Sequence, residues 1–184
     1  AALARMDEDP DFVYSFATPP VFEWIKAVDP ALFEAIRQRV DEGRWELGEG
    51  WWLQPDCNAP SGESLIRQFV RGKRWFREEL GVDTQMAWMP DTFGFSAALP
   101  QIMKKCQVPY FATQKLIRQD PECQPFPYNV FWWEGMDGSR GLSHTFKKNN
   151  ANFQPGDLIT RWEEDRIQQE NIDGLIFPFG YGDG

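Results

Sequence analysis

Three aspartates stand where apolar segments give way to turns: Asp56 in "GWWLQPDCN", Asp91 in "AWMPDTFG" and Asp183 in "FPFGYGDG". Each follows a run that reads as a buried strand. Where parallel strands alternate with helices, ligands gather beyond the carboxyl ends of the strands, so all three are expected on one rim. A pair of carboxylates there suits glycoside hydrolysis, one as nucleophile or base and the other as acid. Carboxylates equally bind hard or borderline metal ions. The residue pattern leaves both open, and an aspartate after a strand is also a common turn former or helix cap.

Other chemistries lack their residues. There is no G-x-G-x-x-G after a strand and no G-x-x-x-x-G-K-[ST] loop. "PSGES" is not a G-x-S-x-G elbow. The single histidine, His144, sits in the strand-like "GLSHTFKKN" and reads as structural. Nine tryptophans and 15% aromatic residues supply large core side chains, with some free to serve as platforms for a sugar face. The candidates for that role are Trp51 and Trp52, one of which should turn inward, and Trp133. Asp56 and Asn58 either bind hydroxyls or shape their turn.

The elements that must position these residues are legible as periodicities. "DFVYSFA" (Asp11–Ala17) and "RWELGEGWWL" (Arg44–Leu53) read as strands, separated by two helices broken at Pro30. "SGESLIRQFVRGKRWFREELG" is the strongest helix, with Ser61 as its cap and Gly81 as its stop. "QMAWM", "PYFAT" and "GLIFPFG" read as buried strands, and "SAALPQIMKKC" and "GDLITRWEEDRIQQEN" as helices. "VFWWE" and "LSHTF" flank Asp137-Gly138, a turn signal for a hairpin. Strands alternating with helices predict an α/β fold, a mainly parallel sheet covered on both faces, as a barrel or an open sheet.

With 184 residues, 42% of them hydrophobic and 26% charged, the chain has the composition of one soluble domain. A net charge of −9 disfavours nucleic acid and anionic membrane surfaces as partners. Three cysteines without metal-ligand spacing (Cys57, Cys106, Cys123) read as reduced thiols, consistent with a cytoplasmic protein. The opening "AALARMDEDP" reads as the last turns of a helix and the closing "FGYGDG" as a turn. Residues 1–184 are therefore expected to be part of a larger domain.

"WMPDTFGFSAALPQIMKKCQVPYFATQKL" (Trp88–Leu116) resembles the nucleophile segment of glycoside hydrolase family 38, the class II α-mannosidases. "PDCNAPSGESLIRQFVRGKRWF", "FWWEGMDGSR" and "GYGDG" resemble the same family, in the style of its bacterial and cytosolic members. The resemblance implies an incomplete seven-stranded (β/α) barrel, a partial catalytic domain lacking an N-terminal metal-ligand segment and a C-terminal remainder. It implies a retaining α-mannosidase acting on mannose-containing oligosaccharides, homo-oligomeric at full length. Asp91 falls on the family's nucleophile, which also ligates a zinc ion, and Phe93 on an aromatic beside the sugar. Asp183 is the candidate acid/base by its place at a late strand end. The family's other zinc ligands, a His-x-Asp pair and a later histidine, are not found in these residues, and His144 sits in neither motif. Two other readings remain at this point: a metal-dependent deacetylase-like hydrolase on a related barrel, and a catalytically silent sugar-binding module.

Overall fold

A computed structural model describes residues 1–117, 126–147, 154–167 and 172–178. Helix α1 (Ala2–Glu8) leads to strand β1 (Tyr14–Ser15), then helices α2 (Pro19–Val28) and α3 (Pro30–Asp41). The break between these helices is chemical. Pro30 cannot continue a helix entered from Asp29, and the Asp29 carboxylate accepts from Leu32 N at 3.0 Å to start the next. Gly43, at φ +72°, turns the chain out of α3 into strand β2 (Trp45–Glu46). Helix α4 (Gly62–Leu80) is capped by Ser61, whose hydroxyl accepts from Ser64 N, and stopped by Gly81 at φ +69°. Strand β3 (Met86–Trp88), helix α5 (Leu99–Lys105), strand β4 (Tyr110–Thr113), the hairpin β5 (Val130–Glu134) and β6 (Arg140–Thr145), and helix α6 (Leu158–Asp165) follow.

The strands form a parallel pair, β1-β2, and a four-stranded sheet in the order β3-β4-β6-β5. Gly50 N donates to Met86 O at 2.8 Å, which ties the chain after β2 to the edge of β3. Strands β3, β4 and β6 are parallel; β5 runs antiparallel to β6. The described residues make six strands in two sheets, which agrees with a mixed α/β class without showing the incomplete seven-stranded barrel that the resemblance implies. Two further expectations are corrected. The Arg44–Leu53 strand shrinks to Trp45–Glu46, because the chain leaves the ladder to lie on α4. The described part of "GLIFPFG", Gly174–Pro178, joins no ladder.

Side-chain alternation places the helices. Ala87, Met89 and Phe111 share one face of the sheet and pack with Leu65 and Phe69 of α4 and Leu99, Ile102 and Met103 of α5. A second core joins α2, α3 and the far half of α4 around Phe22, Phe33, Trp75 and Phe76. Helix α4 thus serves both cores, which is why nineteen residues of it are needed. The opposite face of the sheet carries Trp88 stacked on Phe146 at 5.0 Å, with His144 beside them. Helices α4 and α5 therefore pack on the same face of the sheet, instead of covering both faces as the sequence predicts. Among the described residues no helix is long and apolar enough to cross a membrane.

Lys73 fixes α4 to the base of the sheet. Its buried ammonium donates to Thr84 O at 2.5 Å and Gln107 O at 3.3 Å and pairs with Asp83 at 2.8 Å. Glu49 is the contrary case. Burial pushes its carboxyl up to about 7 from an ordinary 4.5, with no compensating partner among the described residues. A carboxyl raised on folding stabilises the native state below its unfolded value and loses that contribution as pH rises through the folded one. Between about pH 4.5 and 7, Glu49 therefore weakens the fold as pH increases. Glu49→Gln is expected to raise stability at pH 8 by about 2 kcal/mol and to change it little at pH 4.5, read by urea unfolding at both values. Equal effects at the two pH values would contradict this account.

Candidate active site

Asp91 lies three residues beyond Trp88, and Lys115 three beyond Ala112; Trp88 and Ala112 are register partners of parallel strands. The two side chains therefore emerge at the same height on the rim. The Lys115 ammonium lies 2.5 Å from Asp91 Oδ1, and Gln114 Nε2 donates toward the same oxygen at 3.5 Å. The ammonium also sits over the Phe93 ring, 4.3 Å from its centroid. Phe93 itself is 63% exposed. One cation thus holds both the carboxylate and the exposed aromatic of the same turn. Asp91 and Phe93 form an open acidic and aromatic surface backed by Lys115.

The turn that carries them is cradled by the loop after β2. Asn58 Nδ2 donates to Phe93 O. Gly94 follows at φ +104°, and a Cβ there would meet Asn58 Oδ1 at 2.9 Å, so only glycine fits. Asp56 Oδ1 accepts from Asn58 N at 2.6 Å and Ala59 N at 3.2 Å. The Asp56 carboxylate is thus committed to a turn that aims Asn58. The Thr92 hydroxyl is 3.1 Å from Pro55 O and 3.0 Å from the Gln54 amide.

The aromatic candidates separate. Trp51 has no exposed surface and stacks on Phe69 at 3.5 Å, inside the core. Trp52 is half-buried, with the Arg71 guanidinium over its ring at 3.7 Å. Trp133 pairs with Gly141, at the end of the sheet remote from Asp91, and packs on Phe95 and Phe111. The reason is direction: β5 runs antiparallel, so its carboxyl end points away from the rim. The structure brings Asp91, Phe93, Asn58 and Asp56 together, and places Trp51 and Trp133 elsewhere. Asp183 lies outside the described residues.

Lys115, Gln114 and Gln54 reach the Asp91 turn although no sequence motif marks them. The strand-end rule applied to "PYFATQK" points to Gln114 and Lys115, neither of which is a carboxylate. His144 is a different matter. Both ring nitrogens are buried without a hydrogen bond of good geometry, and the Gly174 backbone only partly offsets the effect of burial on the ring. Burial lowers its pKa, so the imidazole stays neutral.

Among the described residues no group of three or more His, Cys, Asp or Glu side chains could hold a metal ion. Asp91 is faced by an ammonium and an amide nitrogen, not by further metal donors. The described residues alone therefore do not fit a zinc site, which takes three or four protein ligands.

The structure defines an α/β domain with a carboxylate and an exposed aromatic at one strand end, and comparison with known proteins places it in a family. Residues 1–184 match the N-terminal domain of glycosyl hydrolases family 38, and the chain belongs to that family. Alpha-mannosidase 2C1 of Homo sapiens is 35% identical over 192 aligned residues, covering 100% of this chain and 18% of the relative. Alpha-mannosidase G of Dictyostelium discoideum is 40% identical, covering 99% of this chain and 17% of the relative. The crystal structure of an alpha-mannosidase from Enterococcus faecalis V583 superimposes with a TM-score of 0.73 at 23% identity. That match covers 89% of this chain and 19% of that one. The chain thus spans less than a fifth of the length of the relatives it matches.

Proposed function

We propose that this chain is the nucleophile-bearing part of a retaining α-mannosidase that removes terminal α-mannosides from oligosaccharides. The observation that carries the reading is the Asp91 carboxylate, fixed on the rim by Lys115 at 2.5 Å beside an exposed Phe93, in a chain of this family. In the first step an Asp91 oxygen attacks the anomeric carbon as the glycosidic C–O bond breaks. The acid/base, for which Asp183 is the candidate, gives its proton to the departing oxygen. In the second step the same residue takes a proton from water. The water oxygen attacks the anomeric carbon and the ester to Asp91 breaks, which restores both carboxyls with net retention.

Lys115 and Gln114 hold the Asp91 rotamer, so the carboxylate does not have to be ordered at the moment of attack. Phe93 offers an apolar surface to the sugar. Zinc enters this reading only through ligands outside the described residues, and neither step above is routed through it.

The test is a trapped intermediate. Full-length protein treated with a fluorinated mannosyl donor should carry a single mannosyl adduct, mapped by peptide mass spectrometry to the segment containing Asp91. An adduct on another residue, or turnover with no covalent species, would sink the assignment. Turnover without an adduct is what a deacetylase-like hydrolase, which forms no covalent intermediate, would give; a silent sugar-binding module would give neither adduct nor turnover.

A further inference from the structure

Beyond Met89, whose N donates to Ala112 O at 2.9 Å, the β3 chain leaves its ladder. Pro90 has no N–H, and the next two amides, Asp91 N and Thr92 N, both point at the side-chain amide of Gln54. They lie 3.3 Å from its outer atom, with the Thr92 hydroxyl at 3.0 Å. Two N–H donors facing one atom require that atom to be the carbonyl oxygen. Gln54 is half-buried, so these bonds are shielded from competing water.

Gln54 is itself held from behind. Trp52 N donates to Gln68 O at 2.9 Å, and Leu53 N to Gln68 Oε1 at 3.0 Å. Both acceptors belong to α4. The loop lies so close to this helix that a Cβ at Gly72 would come within 2.3 Å of Trp51 C. Helix α4 therefore fixes residues 50–53, these fix Gln54, and Gln54 fixes the peptide units on which Asp91 is mounted. Lys115 acts on the carboxylate end of Asp91; Gln54 acts on its backbone end.

We infer that Gln54 is a positioning residue for the Asp91 carboxylate, setting its reach through the Asp91 and Thr92 amides without touching substrate. The inference rests on Asp91 being the nucleophile. Displacing a reacting group by about 1 Å costs on the order of 100-fold in rate.

The test uses full-length protein with Gln54→Leu, which removes the acceptor at similar volume, and Gln54→Glu, which keeps an acceptor oxygen. Gln54→Leu is expected to lower kcat by about 10- to 100-fold with KM within about 3-fold. The rate of mannosyl trapping on Asp91 should fall in parallel. Gln54→Glu should recover most of kcat. If Gln54→Leu does not fold, Gln54→Met, which also lacks the acceptor oxygen, is measured in its place. Full kcat in the variant without the acceptor, or kcat as low in Gln54→Glu as in that variant, would overturn the inference. Full activity in Asp91→Ala would instead overturn the nucleophile assignment, so the two failures are distinguishable.

Discussion

Asp91→Ala in the full-length protein is expected to lower mannoside turnover by about 10,000-fold or more while leaving the unfolding midpoint nearly unchanged. The size follows from the proposed role as nucleophile. Removing the attacking carboxylate abolishes the covalent route, and what remains is binding and acid catalysis of a direct displacement. The near-neutral stability follows from the geometry. The side chain is 47% exposed, and its ion pair with Lys115 sits at a rim open to solvent, where such pairs contribute little. A second signature separates nucleophile from structural support. An activated substrate with a good leaving group should not rescue Asp91→Ala without an added small anion, whereas azide or formate should restore turnover and invert the anomeric configuration of the product. Retained activity, or rescue with retention, would count against Asp91 as nucleophile.

Lys115 belongs to the same expectation with a smaller effect. Lys115→Met removes the cation 2.5 Å from Asp91 Oδ1 and 4.3 Å from the Phe93 ring centroid, so both groups lose their common anchor. Its loss should fall between those of Gln54→Leu and Asp91→Ala.

The elements whose limits rest on local chemistry were legible in the sequence. Ser61 and Gly81 bound α4, Asp29 and Pro30 divide α2 from α3, and Asp137-Gly138 turns the hairpin, each through a hydrogen bond or a backbone preference within a few residues. Features set by distant approach were not. Trp51 and Trp52 belong to a strand-like run, yet neither is in a strand, because the loop follows the groove that Gly72 opens on α4. Trp133 stands next to the last residue of its strand, and Asp91 follows one. The reversed direction of β5 puts it at the far end of the sheet, and strand direction is a property of pairing rather than of the segment. Asp91 and Phe93 were found because their turn has a distinctive sequence. Lys115 and Gln54 reach that turn from sequence separations of 24 and 37 residues, where no short motif links them. Asp56 reaches the site too, but as the residue that shapes a turn.

Gly72→Ala carries the largest expected change in stability, and the same substitution ten residues earlier calibrates it. At Gly72 a methyl group would lie 2.3 Å from Trp51 C, 2.5 Å from Trp52 N and 2.6 Å from Gly50 O. All three are backbone atoms, so no rotamer change relieves the overlap, and the loop must separate from α4. That separation breaks the Trp52 N to Gln68 O bond and loosens the stacked Trp51 and Phe69 rings. A cost of about 3 kcal/mol or more is expected from urea unfolding. Gly62, at the start of the same helix, has only Ile102 Cδ1 within reach, at 3.9 Å. There alanine restricts the unfolded chain without a clash, and a gain of about 0.5 kcal/mol is expected. Because residues 50–54 carry Gln54 to the Asp91 turn, Gly72→Ala should also lower kcat at temperatures where the protein remains folded. Equal tolerance of alanine at both positions would mean that the loop does not rest on α4, and the mechanical link from that helix to Asp91 would be lost with it.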